Sequence, residues 1–153
     1  METRIATTKD VGQICRLCDE FFAYNADLQP EYYIAAKETG DYPRSIITSE
    51  NADILVAVEN NVIVGFIHIS KAQTPPFDSV MPHNYAEIIG CFVTASHRKK
   101  GIGAELMDFA RRWGKEQNLD CIELCVLSNA KEALDFYKQQ GFNAASHNMR
   151  CAL

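Results

Sequence analysis

The chain has 153 residues, 47% of them hydrophobic, and a net charge of −5, which suits one domain, residues 1–153, burying roughly 70% of its extended-chain surface. METRIATTKD has no apolar export core, and the longest apolar runs, 54–58 and 62–69, fall far short of the ~20 residues that cross a bilayer. A soluble, cytoplasmic protein with no membrane partner is expected, its six cysteines reduced rather than paired.

Charge is unevenly spread. Residues 1–60 hold eleven acids and five bases, and residues 61–153 nine acids and ten bases. The first part suits a cation, while the adjacent Arg98, Lys99 and Lys100 mark one spot suited to an anion. Three bases on an acidic chain make too small a footprint for nucleic acid.

In chain order, a short strand around Arg4–Ala6 precedes a helix to about Tyr24, its apolar face set by Val11, Ile14, Cys15, Leu17, Cys18, Phe21 and Phe22. The CxxC of Cys15 and Cys18 lies on that face, so it reads as core rather than a redox pair. A second helix is expected from near Pro30 to Gly40. Strands at Asp53–Glu59 and Val62–Ser70 flank Asn60-Asn61, a hairpin turn. A Pro-containing loop, Ala72–Asn84, leads to a strand at Tyr85–Thr94, a helix at Gly101–Asn118 and a strand at Cys121–Leu127. A helix at Asn129–Gln140 then stops at Gly141, and a last strand runs from Phe142 towards Met149. The fold class expected is α/β (α+β), a mixed sheet with helices on both faces. His68, His83, His97 and His147 are scattered singly, so no metal site is expected.

The chemistry centres on VTASHRKKGIGAEL. Gly101 and Gly103 allow a tight turn and bring backbone amides to an anion at the positive end of the following helix, beside three bases. Ile102, Leu106, Phe109, Ala110 and Trp113 form its core stripe. The P-loop pattern is absent, and the third glycine of a dinucleotide fingerprint is replaced by Leu106, which weakens a nicotinamide-dependent oxidoreductase.

A second segment, NAKEALDFYKQQGF at 129–142, follows the next strand. Together, RKKGIGA and this segment resemble the GNAT superfamily of N-acetyltransferases over roughly residues 53–142. The resemblance implies direct acetyl transfer from acetyl-CoA to a primary amine, with no metal. It implies that the strand before the loop parts from its parallel neighbour, so that the backbone of Cys91, Phe92 and Val93 pairs with the pantetheine arm. Arg98, Lys99, Lys100, Gly101, Ile102, Gly103 and Ala104 then cradle the pyrophosphate. Asn129 is either a contact to the coenzyme arm or a helix cap.

By the same resemblance, Tyr137 protonates the leaving sulfur and Glu87 is the general base, with Glu123, Tyr85, His83 or a water relay as alternatives. Strict alternation places Glu87 on the side of Cys91 and Val93, a parity that a bulge would break. The acceptor is expected to be a cationic amine, small molecule or peptide. It would be drawn to Asp19, Glu20, Asp27, Glu31, Glu38 and Asp41 among Phe21, Phe22, Tyr24, Tyr32, Tyr33 and Tyr42. A coenzyme-binding module without turnover is the alternative, and a homodimer is compatible with the family.

Overall fold

The computed structural model describes residues 1–153. Strands β1 (Glu2–Ile5), β2 (Ala52–Glu59), β3 (Val62–Gln73), β4 (Asn84–Val93) and β5 (Cys121–Leu124) form one sheet in that order. Every pairing is antiparallel except β4 with β5. Helices α1 (Val11–Leu28), α2 (Asp41–Ile47), α3 (Ile102–Glu116) and α4 (Lys131–Gln139) complete the fold. A parallel pair needs a crossover, and α3 supplies it between β4 and β5. The mixed sheet with helices on both faces is the architecture expected from the sequence.

The unbroken apolar run of β2 shows why both faces are covered. Successive strand residues point to opposite sides. Ile54 and Val56 pack under α1 with Ile14, Leu17, Cys18 and Phe66, whereas Leu55 and Ala57 pack under α3 with Leu106, Met107 and Trp113. A strand apolar on both faces is stable only between two layers, and each fully buried Leu, Ile or Val contributes about 1.5–3 kcal/mol. Trp113 places its one polar atom without loss, donating its indole N–H to Asp53 at 2.7 Å. The expected hairpin forms with Asn60 at φ +49° and Asn61 at φ +61°, the left-handed pair that matches strand twist.

Two expected elements are corrected. No helix forms from Pro30 to Gly40; α2 begins where that helix should have ended. Asp19 captures the segment instead, accepting from the Glu38 backbone N–H at 2.8 Å and from Lys37 Nζ at 3.1 Å. Gly40 has φ +98° as the residue before α2, and Pro43 lies in the short helix that follows, so the glycine starts a helix rather than stopping one. The strand expected from Phe142 towards Met149 is also absent, and residues 143–153 are exposed. Between Phe142 and Met149 the sequence NAASHN offers no alternating apolar face to bury. Phe142 is anchored, with its ring 5.7 Å from that of Tyr137.

The feature that shapes the site is in β4. His68 pairs with Gly90 and Ile69 with Ile88, so Ile89 has no partner and forms a bulge. Ala86 and Ile88 belong to the α3-side core, and so do Cys91 and Val93 after the bulge. Glu87 therefore lies on the α1 side, opposite Cys91 and Val93, which corrects the parity expected from strict alternation.

Gly40→Ala tests the α1–α2 connection. It forces alanine into a left-handed conformation with its Cβ 3.2 Å from Val11 Cγ1, and is expected to cost about 1–2 kcal/mol, read as a lower urea midpoint at unchanged slope. An unchanged midpoint would show that the segment rearranges without strain.

Candidate active site

The β4–β5 ladder runs only from Tyr85↔Cys121 to Ile88↔Leu124. Beyond it β4 continues to Val93 with no strand paired on that side, while β5 has ended, so the ladder opens between the two segments. Cys91, Phe92 and Val93 all lie in this unpaired stretch of β4. The Val93 carbonyl, however, already accepts from Arg98 Nε at 3.0 Å.

The N-terminus of α3 lies just after β4. Gly101 precedes the helix with φ +83° and no side-chain cap, and the first helical bond there runs from Glu105 N–H to the Gly101 carbonyl. The amides of Ile102, Gly103 and Ala104 thus have no partner in the preceding turn and carry the positive end of the helix dipole. Ile102 meanwhile buries its side chain in the core, anchoring the turn.

The neighbouring residues divide. Lys100 is exposed, and Lys99 Nζ stands 3.7 Å from Glu132. Gly103 gives close packing rather than freedom to turn, since a Cβ there would lie 3.2 Å from the Phe136 ring. Arg98 does not reach into the turn: its guanidinium lies over Phe92 at 5.2 Å and Tyr24 at 5.3 Å. Asn129 neither caps α4, whose N-cap is Ala130, nor points freely; it donates to the Leu28 carbonyl at 2.6 Å and accepts from Gln29 at 3.2 Å. That contact ties the loop after β5 to the end of α1.

Tyr137 projects from α4 to the opening, flanked by Phe136 and Phe142, with its hydroxyl at Cys91. Burial, then the charge and hydrogen bond of Cys91, push the phenol above its ordinary range. Burial also pushes the Cys91 thiol up to about 11, against the opposing hydrogen bond from Tyr137.

On the α1 side a cleft of about 450 Å³ is lined by Cys18, Phe21, Phe22, Glu38, Tyr42, Phe66, Ile89 and Gly90. Of the acidic and aromatic residues singled out in the sequence, Phe21, Phe22, Glu38 and Tyr42 line it, while Asp19 holds the segment bearing Glu38. Tyr32 lies elsewhere, under the guanidinium of Arg150. Glu87 is exposed on the same side of the sheet, outside the lining.

Behind Tyr42 is a residue that sequence reasoning missed. His68, 3% exposed, hydrogen-bonds the Tyr42 hydroxyl through Nδ1, and its Nε2 is buried with no partner. Burial lowers His68 to about 4, while burial, Cys18 and Glu38 push Tyr42 up to about 12. The only sequence signal was a histidine inside the apolar run VIVGFIHIS.

The model of the acetyltransferase (GNAT) family matches residues 18–142, and the chain belongs to that family. An uncharacterized N-acetyltransferase of Archaeoglobus fulgidus is 27% identical over 140 residues, spanning 92% of this chain and 91% of the relative. Among solved structures, a tetramutant of the BH1408 protein from Bacillus halodurans matches with a TM-score of 0.94 over 100% of both chains at 22% identity. Aminoglycoside N-acetyltransferase AAC(6')-Iy in complex with CoA matches with a TM-score of 0.76 at 15% identity, over 99% of this chain and 98% of that one. At these identities the structural likeness is one of fold.

The Tyr42–His68 pair gives a pH signature. His68 titrates near 6.5 unfolded and about 4 folded, so between those values only the unfolded state holds its proton. Stability is therefore full above pH 6.5 and falls as pH drops towards 4, by roughly 3 kcal/mol. Asp10, held low first by the hydrogen bonds of Arg4, contributes its own loss only below about pH 4. Urea unfolding at pH 7, 5.5 and 4.5 should show this decline, and His68→Leu should flatten it. The same decline in the variant would assign it to another group.

Proposed function

We propose that the protein transfers the acetyl group of acetyl-CoA to a primary amine held in the α1-side cleft. The observation that supports this most strongly is the Tyr137 hydroxyl at Cys91, inside the opening between β4 and β5. A CoA complex among the fold neighbours supports the donor. The amides at the start of α3 would bind the pyrophosphate, with Lys100 adding charge, because an anion at a helix N-terminus meets both free N–H groups and the dipole. The pantetheine arm would enter the opening along β4, where a strand edge offers backbone partners.

The amine must be neutral to attack. Its nitrogen bonds to the thioester carbon, the C–S bond breaks, and the sulfur leaves with the bonding pair. Tyr137 gives its phenol proton to that sulfur, and the surplus proton of the amine passes to Glu87, directly or through water. A raised phenol is a poor acid, so it keeps its proton until a strong base appears. A thiolate released beside Cys91 meets the same desolvation that raises the Cys91 thiol, so its basicity rises along with that of the phenol.

The aromatic lining suits an amine with an apolar body, and Glu38 is the carboxylate positioned to draw its ammonium form into the cleft.

Tyr137→Phe is expected to lower kcat by about 10²–10⁴-fold in an assay of CoA release, with acetyl-CoA binding unchanged. Full binding with undiminished turnover would remove Tyr137 from the chemistry, and binding without turnover in the unsubstituted protein against any amine would favour the module without catalysis. Glu38→Gln should raise the acceptor KM at unchanged kcat, whereas Glu31→Gln, outside the cleft lining, should leave both as they are. Equal effects would place the attraction in the general field of the acidic surface.

A further inference from the structure

We propose that His83, Cys121 and Glu123 form a binding site for a divalent cation of the zinc class, on the α1-side face at the start of the β4–β5 pair. The site does not depend on acetyl transfer. Cys121 and Glu123 are two residues apart on β5 and so share a face. His83 ends the loop before β4, and the register Tyr85↔Cys121 brings it alongside. One donor atom from each residue lies within 4.8 Å of the others, and His83 Nε2 is 3.5 Å from Glu123 Oε1.

Two further observations point to a cation. The first is the orientation of His83. Its Nδ1 is 3.0 Å from the Met81 carbonyl, and a carbonyl only accepts, so Nδ1 carries a proton and Nε2 is the ring atom turned to Cys121 and Glu123, free to ligate whenever the imidazole is neutral. Metal-binding histidines are held this way, with the far N–H fixed to a carbonyl. The loop end is pinned as well, since His83 N–H donates to Thr74 Oγ1 at 3.1 Å and the Thr74 N–H donates back to the His83 carbonyl at 3.1 Å. The second is charge: Glu87 and Glu123 are register partners, so two carboxylates share this face beside His83, and a cation held on Glu123 lowers the repulsion between them.

The donor set selects the metal. Nitrogen, sulfur and one carboxylate oxygen suit zinc better than magnesium or calcium, which take oxygen. Tetrahedral zinc, with bonds of about 2.0–2.3 Å, places donors ~3.3–3.8 Å apart. Cys121 and Glu123 are exposed strand residues, and a rotation of about 1 Å closes the remaining gap. On binding, the Cys121 thiol loses its proton to solvent as the sulfur–metal bond forms. Three protein ligands leave a fourth position for water or another donor. The site escaped the sequence reading because His83 is separated from Cys121 by the whole of β4 and α3.

The test uses untagged protein titrated with Co2+ and, in competition with a chromophoric chelator, with Zn2+. The expected result is one equivalent of either metal per chain, a thiolate-to-cobalt charge-transfer band, and visible bands of tetrahedral intensity. Cys121→Ser should abolish the charge-transfer band, and His83→Ala and Glu123→Gln should each weaken Zn2+ binding at least tenfold. Cys151→Ser, at an exposed thiol outside the cluster, should change neither, and circular dichroism checks that each variant is folded. Absence of stoichiometric binding would overturn the proposal. So would a charge-transfer band that survives Cys121→Ser, or Zn2+ affinity unmoved by His83→Ala.

Discussion

One extra residue in β4 governs the site. Because Ile89 has no partner on β3, the strand presents Ala86 and Ile88 to the α3-side core, then Cys91 and Val93 to the same side, with Ile89 and Gly90 both at the cleft. A bulge bends its strand and increases the local twist. Immediately beyond it the ladder to β5 ends, at Ile88↔Leu124. The same short stretch thus supplies the wall of the acceptor cleft, the edge of the opening and the thiol that meets Tyr137.

The surrounding fold keeps that stretch in place. β4 is covered by α1 on one side and α3 on the other, and its neighbour β3 and the next strand β2 bury their side chains in both layers. The interior of this fold resists displacement because it is close-packed. The N-terminus of α3 is fixed by Ile102 in the core and by the Phe136 ring against Gly103, which aligns α3 with α4 and hence with Tyr137. Burial does the electrostatic work: it raises Tyr137, Cys91 and Tyr42 and lowers His68, so each keeps its neutral form.

Much of this was legible in the sequence. The run of β2, the Asn-Asn hairpin and the strand–glycine turn–helix order of 85–118 rest on local chemistry, and local chemistry fixed them. The helices that carry Tyr137 and the α3 turn lie where the paired motifs put them. What failed depended on distant partners. The segment 30–40 has helical composition, but Asp19 takes its backbone N–H and Gly40 reverses its direction. Glu87 changes face because of a bulge that no residue type announces. The contacts of Arg98 with the Tyr24 ring, and of Asn129 with the end of α1, likewise join residues far apart in the chain and were not legible.

The central claim is that the opening between β4 and β5, with the first turn of α3, receives the donor. Amide hydrogen exchange with and without saturating acetyl-CoA tests it most directly, since exchange reports local opening residue by residue. The expected result is added protection at Ile89–Val93 and at Ile102–Ala104 together. Saturable binding that leaves both stretches unchanged, or protects only residues elsewhere, would contradict it.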